Sequence, residues 1–207
     1  DDPPSAPGRA KDNAANLMAL IAIMKKRREC KVFFVDSNSG QFRGFKRDTE
    51  DDVLGQKTLI IDTNLLLLLV IGAVEGGRHI QHSKRLNKFT LQDYDAILDV
   101  MASHQEICIT HYIATEVSNL IDLTGYASTL AYETARILFS QFRQIHSDIA
   151  TDSVQHTFLA YGLTDSSLVR LAADHTILTD DQRLFGALFS ACAENILPFE
   201  VVRKVRE

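Results

Sequence analysis

The chain has 207 residues, 45% hydrophobic and 24% charged, which is enough apolar material for a packed core and not the profile of a disordered chain. Its net charge of −5 is unevenly placed: residues 1–56 hold 10 Lys+Arg against 9 Asp+Glu, and residues 57–207 hold 12 against 18. An acidic main domain argues against a surface that coats nucleic acid passively, but it does not exclude an enzyme that meets phosphates through divalent ions.

Cys30, Cys108 and Cys192 stand singly, with no CxxC pair, which argues against a zinc knuckle and fits reduced thiols in the cytoplasm. The best apolar run, Leu65–Val74, has ten residues, against roughly 20 needed to cross a membrane. LMALIAIM (17–24) is followed, not preceded, by the basic KKRR, the reverse of a secretory signal.

In chain order, the Pro-rich polar stretch 1–13 reads as a tail or linker. Residues 13–29 favour a helix with a basic C-terminal end, and KVFFVD-SNSG-QFRGF reads as a hairpin. Residues 14–56 are thus expected to form a small helix-and-hairpin appendage, and 57–207 the main domain. There TLIID (58–62) reads as a buried strand and LLLLLVIGAV (65–74) as the start of a helix. RHIQHSKRLNKF (78–89) reads as a polar helix or loop. Thr90 is expected to cap a helix over 91–104, where apolar residues recur at helical spacing. EICIT (106–110) is a predicted strand, 111–123 a helix, and 127–146 one long helix. A short helix is expected over 149–161, and another over 165–173 capped by Thr164 or Asp165. TILT (176–179) is a predicted strand, 181–194 a helix and ILPFEVV (196–202) a last strand. Such alternation predicts an α/β domain with a mainly parallel sheet.

On that scaffold Asp62 closes the first strand, Glu116 lies inside the helix after the second, Asp165 begins a helix, and Asp180 and Asp181 follow TILT. The carboxyl ends of parallel strands share one edge, where ligand sites form, so these acids are expected to converge. Gathered carboxylates repel, and divalent ions of hard-oxygen preference relieve this. Such ions hold a phosphodiester oxygen, activate water and stabilise a leaving oxygen, so no Ser, Cys or His nucleophile is required.

Each acid also has an ordinary reading: Asp62, Asp165, Asp180 and Asp181 as helix caps or first-turn acids, Glu116 as a surface residue. Asp93, Asp95 and Asp99 read as a solvated helix face, and Asp122, Asp148, Asp152 and Asp174 as surface acids. The seven histidines lack ligand spacing. His111 and His175, near predicted strands, read as packing or support residues. A phosphatase-like site would need a second Asp at position 64, which is Asn, and a receiver domain a Lys after TILT, where none follows.

LIIDTN (59–64), ATEVSNL (114–120), GLTDSSLVRLA (162–172) and ILTDDQRL (177–184) together resemble the four acidic signatures of PIN-domain nucleases, in order and over about 57–207. The resemblance implies a three-layer α/β/α sandwich and a Mg²⁺- or Mn²⁺-dependent endoribonuclease. Asp62, Glu116, Asp165 and Asp181 would be its catalytic, metal-holding acids, with Asp180 the alternative fourth. The family's Thr-x-Asp pattern favours Asp181. Thr179 would orient the site by its hydroxyl, and Thr63 and Asn64 would hydrogen-bond around the first Asp or a substrate phosphate. The implied role is a toxin or defence effector acting on RNA in the cytoplasm. An antitoxin-like inhibitory protein partner or a homo-oligomer would go with that role, and no membrane. The alternative is a catalytically silent binding or assembly module of the same fold. The 48 residues between Glu116 and Asp165 are long for compact bacterial toxins of the family, and the basic run Lys25–Arg28 is a candidate RNA contact.

Overall fold

The computed structural model describes residues 58–206, the strands β1 (Val32–Val35) and β2 (Phe42–Phe45), and Ala22. β1 and β2 pair antiparallel, Val32 opposite Phe45, in the manner of the expected hairpin. The tail, and the helix expected over 13–29 apart from Ala22, which is helical, lie outside the described residues, as does Cys30.

The main domain is α/β. Its sheet has five parallel strands: β3 (Leu59–Ile61), β4 (Ile107–Thr110), β5 (Arg143–Ile145), β6 (Thr176–Thr179) and β7 (Ile196–Pro198), in the order β5-β4-β3-β6-β7. Leu59, Ile60 and Ile61 are buried on both faces, as a central parallel strand requires. The chain runs outward from β3 to β5 and then returns to the other side of β3 for β6 and β7. Right-handed crossovers put the connections of these two halves on opposite faces of the sheet. The arrangement is consistent with a three-layer α/β/α fold, and its topological switch point lies between β3 and β6.

Helix α1 (Thr63–Gly72) is buried on all sides from Leu65 to Gly72, which is why its sequence shows no polar face. It packs against α2 (Leu91–Ser103), α3 (His111–Leu120) and α4 (Gly125–Gln141). Gly72 lies so close to the Tyr94 ring that a Cβ has no room there. Thr90 caps α2 through a reciprocal capping box with Asp93. Helices α5 (Ile149–Ser153), α6 (Phe158–Tyr161) and α7 (Leu163–Leu171) lie in the connection from β5 to β6, α8 (Phe185–Cys192) in that from β6 to β7, and α9 (Phe199–Arg206) follows β7. Among the described residues, no helix is long and apolar enough to cross a membrane.

Four expectations need correction. The long helix ends at Gln141, and 143–145 is the edge strand β5. Phe139, Phe142 and Ile145 keep a three-residue spacing that imitates a helix face, but the backbone turns extended at Phe142 (φ −79°, ψ 142°). The last strand stops at Pro198, which has no N–H to extend the ladder, and FEVVRKVR becomes α9. Asp93 is not part of a solvated face: it is 6% exposed and accepts a 2.6 Å bond from Arg203, whose guanidinium lies over the Phe89 and Phe199 rings. Asp152, read as a surface acid, is fully buried against Arg170.

The start of α7 also differs from expectation, with consequences for the site. Neither Thr164 nor Asp165 caps the helix. Gly162 holds the cap position at φ 87°, ψ −173°, a region essentially closed to other residues. Helical backbone therefore begins at Leu163, and both polar side chains are left in the first turn, free for other partners. Replacing Gly162 by Ala meets no atom within 4 Å, so its cost is conformational alone, about 1–3 kcal/mol. Thermal unfolding of Gly162→Ala should show a midpoint lowered by roughly 2–12 °C. An unchanged midpoint would mean that α7 can start elsewhere.

Candidate active site

The site is built at the switch point. The Asp62 N–H donates to the Leu178 carbonyl (2.9 Å), extending the pairing of β3 with β6 by one residue. Its side chain then turns into the helix start: Oδ1 accepts from the Thr63 N–H (2.6 Å) and Oδ2 from the Thr179 hydroxyl (2.7 Å). The Thr179 hydroxyl also accepts from the Asp181 N–H (3.0 Å), so one threonine at the end of β6 fixes two acidic positions. Asp62 is only 5% exposed. Burial pushes its carboxyl up to about 7, the charges of Asp165 and Asp180 add to this, and its two hydrogen bonds oppose it. It therefore leaves the strand as expected, yet remains a buried acid.

Glu116, exposed in the middle of α3, is held by two hydroxyls from other elements. Thr63 donates to its Oε2 (2.9 Å) and Thr164 to its Oε1 (2.6 Å). Asp165 follows Thr164 in the first turn of α7. Burial raises its carboxyl to about 6, with Asp181 and Glu116 as further like charges and Arg183 in opposition. Asp181 is the reverse case: Arg183 donates to it by Nε (3.0 Å), Nη2 (2.5 Å) and backbone N–H (2.9 Å) and holds it below the usual carboxylate range.

Asp62, Glu116, Asp165 and Asp181 line one open crevice of about 210 Å³, with Thr63, Asn64, Thr164, Arg85 and Arg183. Asp180 is turned away to Lys88 (2.5 Å), and its Oδ1 is buried with no hydrogen-bond partner. His111 bonds Ser147 (2.9 Å) and His175 bonds Thr58, so both histidines have packing partners elsewhere. Sequence reasoning missed Thr164, Arg85 and Arg183. Thr164 was hidden by its reading as a cap. The two arginines carry no signal beyond proximity in sequence, Arg183 standing two residues after Asp181.

The chemistry of this crevice is that of a group of carboxyls, two of them raised by burial and by the like charges of their neighbours. Its donors suit a hard divalent ion. As they stand, no three His, Cys, Asp or Glu among the described residues are set to hold a metal. Glu116 is bonded instead to two threonines, and both oxygens of Asp181 to Arg183. The fit is therefore one of donor type and of a shared crevice, and a closed ligand set would require both Glu116 and Asp181 to change partners. A comparison of the chain with protein-family models finds no match, and a comparison with curated proteins finds no relative.

Proposed function

We propose that this domain is a metal-dependent endoribonuclease of the PIN type, hydrolysing RNA phosphodiester bonds at the switch-point crevice. The observation that carries this reading is the convergence of four carboxylates from four chain segments, two with raised proton affinity, on one open, polar cleft. Asp62, Glu116, Asp165 and Asp181 would hold Mg²⁺ or Mn²⁺, which when bound supplies charge for the phosphate and a more acidic water. Thr179 and the Thr63 N–H hold Asp62 in a fixed orientation. Thr63 and Thr164 do the same for Glu116. Asn64 and Arg85 face the cleft where the substrate backbone would lie.

A second reading, a silent binding module, is favoured by one observation: Arg183 occupies both oxygens of Asp181. Incubation with mixed RNA and single-stranded DNA, in Mn²⁺ or in EDTA, separates the two. The nuclease reading expects internal cuts in RNA in Mn²⁺ alone, leaving 5′-phosphate ends. Mn²⁺ binding without cuts would favour the silent module. A role as toxin or defence effector, with an inhibitory protein partner, belongs to the same proposal.

A further inference from the structure

Arg183 is placed unlike an ordinary surface arginine. Its guanidinium takes both oxygens of Asp181 in the parallel, two-bond geometry that arginine forms with carboxylates and phosphates alike. Its own backbone N–H adds a third bond to the same carboxylate. The side chain is nonetheless 78% exposed and lines the same crevice as the four acids. An exposed pair of this kind is weakly held and its long side chain can swing aside. The carboxylate it covers lines the same crevice as Asp62, Glu116 and Asp165, and its release would free a fourth oxygen ligand there.

Resting on the nuclease reading above, we propose that Arg183 is an exchangeable counter-ion: it competes with a divalent cation for Asp181 and, once displaced, binds a non-bridging oxygen of the substrate phosphodiester. The exchange follows from charge. A guanidinium and a divalent ion cannot share the same two oxygens without strong repulsion, and near a protein surface that repulsion is only partly screened. The displaced guanidinium needs an anion, and a phosphodiester offers the same paired-oxygen geometry as the carboxylate it left. Arg85 lines the same crevice and has no ion pair among the described residues, so a phosphate there meets a second cation without any exchange.

The test uses the full chain and its Arg183→Gln, Arg183→Lys and Arg85→Gln variants. Mn²⁺ binding is followed by electron paramagnetic resonance. Binding of a cleavage-resistant 2′-O-methyl oligonucleotide is followed by fluorescence anisotropy with Mn²⁺ present. Arg183→Gln should bind Mn²⁺ roughly 5- to 20-fold more tightly and the oligonucleotide about 10-fold more weakly, the two affinities moving in opposite directions. Arg183→Lys, which keeps the charge and loses the fork, should fall between. Arg85→Gln should weaken the oligonucleotide and leave Mn²⁺ within about twofold. Equal Mn²⁺ affinity in Arg183→Gln and the parent overturns the exchange and leaves the carboxylate site standing. An Arg85→Gln gain in Mn²⁺ affinity as large as that of Arg183→Gln also overturns it, because general charge would then explain both. Mn²⁺ binding by none of the proteins overturns the exchange and the nuclease reading together.

Discussion

Asp62→Asn is expected to abolish RNA cleavage while making the metal-free protein more stable near pH 8. Loss of activity follows from position. Even groups that only support a metal ligand are worth about 10–100-fold, so on the proposed nuclease reading removing the charge of Asp62 should cost more than about 100-fold. The gain in stability follows from burial. The carboxyl titrates near 7 when folded, against 3.8 when unperturbed, with desolvation the first cause. Between those values the folded state holds the proton and the unfolded chain does not. This group's contribution is therefore complete below about pH 4 and is lost as pH rises through about 7.

Near pH 8 the wild type carries the cost of a buried charge, at most about 4 kcal/mol for a shift of about three units. The amide has nearly the same shape. Its oxygen can keep the Thr63 N–H, and its NH₂ can donate to the Thr179 hydroxyl, which has a lone pair to spare. A midpoint raised by roughly 3–12 °C near pH 8 in EDTA, and little changed near pH 4, is the expected pair of results. A variant that is less stable at both values would contradict the burial account. Retained cleavage in Mn²⁺ would remove Asp62 from the mechanism.

What the sequence made legible follows one rule. Elements with a strong local signature could be read from the chain alone: the apolar strands β3, β4 and β6 set between polar turns, the Leu-rich α1, and α2 with its Thr90 cap. Asp62 and Asp181 were legible because their place is set by the ends of β3 and β6, whereas Glu116 and Asp165 stand within helices. β5 was not legible, because an edge strand with one neighbour needs few apolar residues, and the sequence RQI carries only one. Nor was the depth of Asp62, since burial depends on the whole packed sheet edge. Asp93 and Asp152 were misjudged because a partner far along the chain decides whether an acid can be buried: Arg203 lies 110 residues from Asp93. Arg183 was missed for a different reason. A loop arginine is ordinary in sequence, and only the geometry of its two bonds to Asp181 marks it out.

Arg170→Met is expected to be strongly destabilising although it lies away from the crevice. Asp152 is fully buried, and Arg170 donates to its Oδ1 at 2.7 Å while Oδ2 has no hydrogen-bond partner. Removing the guanidinium leaves a buried, unpaired charge, at a cost of about 3–5 kcal/mol. Unfolding by heat should show a midpoint lower by roughly 6–20 °C. Asp152→Asn should cost less, because it removes the charge along with its need for a partner, and the double variant should be more stable than Arg170→Met alone. This pair also bears on the site. It ties α5 to α7, as does the Ser166 hydroxyl on the Asp152 carbonyl (3.0 Å), and the first turn of α7 carries Thr164 and Asp165. Loosening that tie should reduce cleavage at temperatures where the variant is still folded, through the loss of the Thr164 bond to Glu116. If Arg170→Met matches the wild type in stability, the ion pair does not anchor α7. If Asp152→Asn proves the more damaging, the cost lies in lost hydrogen bonding rather than in an unpaired charge.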